Sequence, residues 1–334
     1  MFIPLRSRLA RLGLAALAAG TSVAAVAAHY TLVDLGADKY PAQVNGRDMV
    51  AGSSRGDHAI VWRGSHWRQL SHGQSAGRAI NASGDVAGDV RSLPVLWPHG
   101  EARQNLPLPG NSLFGLGRGI NAQREVVGLF YGTGKIRCFA WTPAGGSIDL
   151  GFMDQGDECQ AFDVNASGQI TGMATTAASG GKSHAFRYQD GKFEDLGILA
   201  GGDQSQGISI NRHGDVAGRA SVPPLDDMHF HAVAWTHGRL IDLDPDSVSD
   251  ESVATGINNG GEIVGTITLN GVFDTRAVRY TARGVVVLQD EVRNLAGWML
   301  SQAEGINDDG VIVGSGYAAD GSEHGFMLVP DGAD

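Results

Sequence analysis

Thr31-Leu32-Val33-Asp34-Leu35 reads as a β-strand that belongs to no complete unit of its own. Its Asp-Leu ending recurs along the chain, with leucines at Leu70, Leu106, Leu150, Leu196, Leu243 and Leu288. Each of those closes a unit of one layout, whereas Leu35 precedes the first unit. The last unit runs to Leu328 and would need its own Leu eight or nine residues on, beyond Asp334. Seven such strands serve seven units only if the first in sequence completes the last. That arrangement predicts a ring, because a solenoid has no use for it. Closure also removes the open sheet edges that repeated β units must otherwise protect.

The units are found through a second landmark, an Asn followed by a Gly seven residues later. The pairs are Asn45/Gly52, Asn81/Gly88, Asn121/Gly128, Asn165/Gly172, Asn211/Gly218, Asn258/Gly265 and Asn307/Gly314. Five after the Asn stands Val or Ile in every copy, and three after it stands Gly in all but two, which have Asp48 and Arg124. Asn followed by Gly suits a type I turn with a left-handed residue, a common hairpin connection. A third landmark is an apolar run ending in an aromatic: Trp62, Trp97, Trp141, Tyr188, Trp235 and Tyr280, with Leu328 in the last copy. Each unit therefore holds four short strands, here lettered a to d, and copies lie 36 to 49 residues apart. This predicts an all-β, seven-bladed β-propeller forming one domain over 29–334, its last blade closed by the N-terminal strand. Small residues two and four before the Asn, such as Gly207 and Ser209, place strand a at the crowded centre.

Residues 1–28 read as a secretory leader. Arg6, Arg8 and Arg11 precede an Ala/Leu-rich stretch from Leu12 to Ala19, and Ala25-Val26-Ala27 offers small residues for cleavage. A secreted or periplasmic protein is expected, with no membrane span in the mature chain. Once those three arginines leave, 22 Lys and Arg remain against 36 Asp and Glu, a net charge of −14. Such a chain repels a phosphate backbone, which excludes nucleic acid as a partner. The two cysteines, Cys138 and Cys159, are too few for a disulfide framework or a Cys-rich zinc site. They fall in strand c of blade three and at the start of strand a of blade four. Those strands do not share a ladder, so free thiols are expected.

The repeats resemble the HAF family of probable extracellular repeats. The residues that carry the likeness are His184-Ala185-Phe186, Asp195-Leu196-Gly197, Gly201-Gly202, Ser205 and Ile210-Asn211, and it extends over about 30–330. Copies two and three depart most, lacking the His. The resemblance implies an exported protein and carries no catalytic residues to transfer.

Candidate chemistry is sparse. Gly52-Ser53-Ser54-Arg55-Gly56 fits G-x-S-x-G, but no strand-to-helix elbow is predicted there, so a Gly/Ser loop is the better reading. At the start of strand c, His58, Arg137, His184, His231, Arg276 and His324 recur. They line one face of the ring and attract an anion, or each pins a neighbouring strand; the second reading is preferred, because repeat-wide residues usually serve the repeat. His229 and His231, with Asp227 and Asp226 nearby, form a candidate site for a divalent metal. Asp242, Asp244, Asp246 and Asp250 form an acidic loop that lacks the Gly of a calcium-binding loop.

No catalytic constellation emerges. The preferred reading is a monomeric, non-catalytic binding or scaffold module for a protein or carbohydrate ligand. A metal-assisted lyase or hydrolase is the alternative, and a self-associating envelope protein a third. Any site is expected on the face carrying the b–c and d–a connections, whose lengths vary, nearest blades four to six.

Overall fold

The computed structural model describes residues 30–332 apart from 65, 226–228, 247–248 and 270–273. The expected leader, Asp226 and Asp227 lie outside these residues. Seven four-stranded antiparallel sheets follow one another. In blades one to six the strand order follows the sequence. Blade five, for example, runs Ser205–Ile210, Val216–Ser221, Phe230–Thr236 and Arg239–Asp242. Blade seven takes strands a to c from Met299–Ile306, Ile312–Tyr317 and Glu323–Pro330, and strand d from Tyr30–Ala37. Leu32 pairs with Leu328 in that last ladder, as the orphan strand predicted.

Every strand a carries a β-bulge at one place. The register slips between the residues four and two before the Asn, skipping Ala42, Arg78, Arg118, Phe162, Ile208, Thr255 and Glu304. A bulge bends its strand and re-aims side chains. Here it also explains the Gly seven after each Asn. In blade five, Gly218 sits opposite Gly207 at the bulge, and a Cβ built on Gly218 would collide with the Gln206 carbonyl oxygen. The equivalent carbonyl blocks a Cβ in the other six copies.

The Asn turns close as expected. Asn165 N donates to Gln169 O and Gly168 N to Asn165 O, with Gly168 at φ +75°. Asp48 and Arg124 take the same left-handed backbone, at φ 54° and 63°, without being glycine. The Asn side chain does more than cap its own turn. Asn165 Oδ1 accepts from Ser167 N and Gln169 N, and its Nδ2 donates 2.9 Å to Asn211 O in the next blade. The same inter-blade bond runs from Asn45 to Asn81, Asn121, Asn165, Asn211, Asn258, Asn307 and back to Asn45, at 2.9 to 3.3 Å. These residues are 3–5% exposed, and the seven inter-blade bonds are buried. Buried amides that satisfy both ends are costly to replace.

The hydrophobic core lies between blades. Met49, Ala51, Ala59 and Val61 of blade one, for instance, pack on Ile80, Val86, Val95 and Trp97 of blade two. Each fully buried Val, Leu or Ile there contributes about 1.5–3 kcal/mol relative to exposure. The strand-c aromatics belong to these layers; Trp62, Trp97, Trp141, Trp235 and Tyr280 are all buried.

The cysteines overturn the expectation of free thiols. Cys138 and Cys159 are disulfide-bonded, with Cα atoms 5.1 Å apart. The expectation considered only ladder neighbours, whereas these two strands face each other in stacked blades, within one buried cluster. The bridge stands where other blade pairs have a hydrogen bond. Ala59 N donates to Ser75 Oγ, Ala185 N to Ser205 Oγ and Ala232 N to Ser252 Oγ, each at 2.8–2.9 Å. Cys138 occupies the Ala position of that pair and Cys159 the Ser position.

Candidate functional site

The recurring His/Arg position is largely spent on the blades themselves. In four blades it clasps the Asp of the strand-d Asp-Leu ending. His184 Nδ1 lies 2.8 Å from Asp195 Oδ2, His231 Nδ1 3.0 Å from Asp242 Oδ2, His324 Nδ1 2.8 Å from Asp34 Oδ1, and Arg137 Nε donates 2.6 Å to Asp149 Oδ2. Each Asp also accepts the backbone N–H two residues on, as Asp195 does from Gly197. Burial raises the Asp195 carboxyl, but the His184 hydrogen bond and the Gly197 amide win and hold it below the usual range. Where strand d lacks the Asp, the clasp is missing. Blade one has Gln69, and His58 turns to Gly73 O at 3.1 Å. Blade six has Val287, and Arg276 pairs with Asp274 on its own strand. Blade two has Leu93 and Asn105.

Of the metal candidates, His229 Nδ1 lies 3.1 Å from Asp250 O, and His231 faces Asp242. The two rings thus address different partners. Among the described residues no cluster of three or more His, Cys, Asp or Glu is placed to hold a metal. In the acidic loop Asp244 is buried and accepts from Ser249 Oγ at 2.6 Å. Ser54 of the G-x-S-x-G stretch ends strand b and leads into strand c, so no helix stands behind it. On the b–c/d–a face, large exposed apolar residues are Leu93, Leu113, Phe114 and Tyr131 on blades two and three, Leu225 on blade five and Tyr317 on blade seven.

A cavity of about 490 Å³ occupies the ring centre. The seven bulged residues all line it: Ala42, Arg78, Arg118, Phe162, Ile208, Thr255 and Glu304. The bulge is what turns them to the axis. From blade to blade this position changes in size, polarity and charge, with Arg alone recurring. Sequence reasoning noted the small residues on either side and passed over the variable residue between them. Comparing that single position across the copies would have found it.

The channel is electrostatically uneven. Arg78 Nε pairs with Asp89 at 2.6 Å. Arg118 has no such partner: its guanidinium lies 4.8 Å from the Phe162 ring centre, and its Nε is cut off from solvent without a hydrogen bond. Burial, helped by the Arg78 charge and opposed by Asp89, pulls its pKa down to about 10, so it stays cationic at neutral pH. Burial alone pushes the Glu304 carboxyl up to about 7. Asp163 is pushed up to about 6 by burial, against bonds from Ile210 N, Val164 N and Ser209 Oγ.

No protein-family model and no curated protein matches the sequence. Among solved structures the chain is similar to a puromycin-hydrolyzing peptidase of Mycobacterium tuberculosis, at 12% identity and TM-score 0.56, covering 91% of this chain and 55% of that one. Pyrococcus horikoshii acylaminoacyl peptidase gives 9% identity and TM-score 0.55, covering 91% and 52%. Virginiamycin B lyase from Staphylococcus aureus gives 11% and 0.54, covering 90% and 99%. The chain thus spans about half the length of the two peptidases. At these identities the likeness shows the propeller fold alone.

Proposed function

We propose that the protein is an exported, non-catalytic binding or scaffold propeller, in keeping with its resemblance to the HAF repeats. The carrying observation is the divergence of the bulged residue. The Asn ring and most of the His/Arg–Asp clasps consume the repeated polar groups, so those residues are explained by folding. The channel residues are not: Ala42, Arg78, Phe162 and Glu304 occupy equivalent places with different chemistry. A ring whose axis-facing residues differ in chemistry from blade to blade presents one particular lining to its cavity, as a binding site does. The leader over 1–28 and the Cys138–Cys159 bridge support a secreted or periplasmic location, where disulfides persist.

The test is a ligand screen of chain 29–334 by thermal shift, using small organic acids, sugars and peptides. A compound that raises the melting temperature and is recovered chemically unchanged supports the reading. Conversion of that compound into product overturns its non-catalytic part.

A further inference from the structure

We infer that the central channel is a binding site for a small organic acid, whose carboxylate is held by the Arg118 guanidinium beside the Phe162 ring. The inference rests on the binding reading above and names its ligand class.

Four observations carry it. Arg118 is half-buried, makes neither an ion pair nor a hydrogen bond among the described residues, and has its Nε shut off from solvent. Burying a charge without a partner is costly, so such a group is stabilised by whatever anion can reach it. Arg78, the other channel arginine, already pairs with Asp89. A planar guanidinium fork matches a carboxylate through two parallel hydrogen bonds. Phe162 and Ile208, on the neighbouring blades four and five, supply an apolar wall for a carbon skeleton. The cavity, at about 490 Å³, is of the size that encloses a small molecule.

The acidic groups around the axis then set the pH at which the site works. The titratable side chains lining the channel are Tyr40, Arg78, Arg118, Asp163 and Glu304, with Asp89 behind Arg78. At pH 8 Asp89, Asp163 and Glu304 are anionic against two arginines. Glu304 takes up a proton near pH 7 and Asp163 near pH 6, while Arg118 stays charged. Acidification therefore turns the channel from net anionic to net cationic. Glu304 stands on blade seven, across the ring from Arg118 on blade three, and in its neutral form it no longer repels the bound acid.

The experiment is isothermal titration of chain 29–334 with acetate, succinate, citrate and benzoate, and with inorganic phosphate and sucrose, at pH 5.5 and pH 8. At least one carboxylate should bind at pH 5.5, and at least tenfold more weakly at pH 8. Arg118→Ala should weaken it at least tenfold while melting no lower than the parent, since the variant removes a half-buried charge that has no partner. Glu304→Gln, nearly isosteric, should bind the same acid at pH 5.5 and lose less affinity at pH 8. Binding of phosphate or sucrose in place of every carboxylate overturns the inference, as does carboxylate binding that survives Arg118→Ala. The same holds if no carboxylate binds at millimolar concentration. Sucrose binding that survives Arg118→Ala would leave the broader binding reading standing. Consumption of a bound carboxylate would overturn that reading and leave the site.

Discussion

Asn307 donates its side-chain amide to the backbone oxygen of Asn45, 2.9 Å away and 262 residues distant in sequence. This bond joins the last repeat to the first and completes a circle of seven equivalent ones. The ring is thus closed twice: once at its rim, by strand Tyr30–Ala37 in blade seven, and once at the Asn turns. The two closures use different chemistry and can be tested apart.

Asn165→Asp keeps the oxygen that caps its own turn and replaces the donor to Asn211 O by a carboxylate facing a carbonyl. Asn165→Ala removes both roles and leaves the half-buried N–H of Gln169 without its side-chain acceptor. Both should lower the unfolding free energy by about 1–3 kcal/mol, the cost of leaving a buried polar group unmet. Equal stability of Asn165→Asp and the parent would show that the inter-blade bond contributes nothing.

Gly218→Ala should destabilise by about 2–3 kcal/mol through overpacking against the Gln206 carbonyl at the bulge. Gly238→Ala is the control for adding a methyl at a glycine with open space around it, though at φ +72° it carries a backbone cost of about 1 kcal/mol. Thermal melts of the two variants check the prediction; a Gly218→Ala change no larger than the control would refute it.

The bridge between Cys138 and Cys159 closes a 21-residue separation and should be worth about 3 kcal/mol by loop-closure entropy. Unfolded, unreduced protein should titrate no free thiol. Replacing both by Ala removes the bridge, whereas Cys138→Ala with Cys159→Ser rebuilds the Ala-to-Ser bond of the neighbouring blades. The second pair should be the more stable by about 1 kcal/mol.

Glu304 predicts a pH dependence whose sign is fixed. Its carboxyl titrates at 4.5 when free and at about 7 in the channel, so the folded state holds the extra proton between those values. Folding stability must therefore fall as pH rises from about 4.5 to 7. Glu304→Gln removes that loss. Parent and variant should melt alike near pH 4, and the variant should be more stable by about 1–3 kcal/mol at pH 8. A variant gain that is the same at both pH values would contradict the burial of this group.

Spacing along the chain revealed the ladders because ladder partners follow from strand length and turn. The orphan Thr31–Leu35 strand, the Asn-x-x-Gly turns and the buried aromatics could all be read that way. Contacts between stacked blades follow no fixed spacing, and there the reading failed. Cys138 and Cys159 looked unrelated because each was placed within its own sheet. Lining up the copies shows them at the Ala and Ser positions of a recurring cross-blade bond. The second half of the Asn amide was hidden for the same reason. Arg118 and Glu304 were missed because a bulge breaks the simple alternation of strand faces, and the residue it turns inward has no partner in the two-residue pattern.

The strand that completes blade seven is also the first part of the domain to be synthesised. Tyr30 pairs with Pro330, so a ribosome adding about 5–20 residues per second separates the two partners by roughly 15–60 s. During that interval blades one to six acquire their own four strands in turn, but the circle keeps a gap. The circle cannot close until its final hairpin exists. A protein whose last fold-defining event waits for its C-terminal strands remains an unlocked chain during elongation.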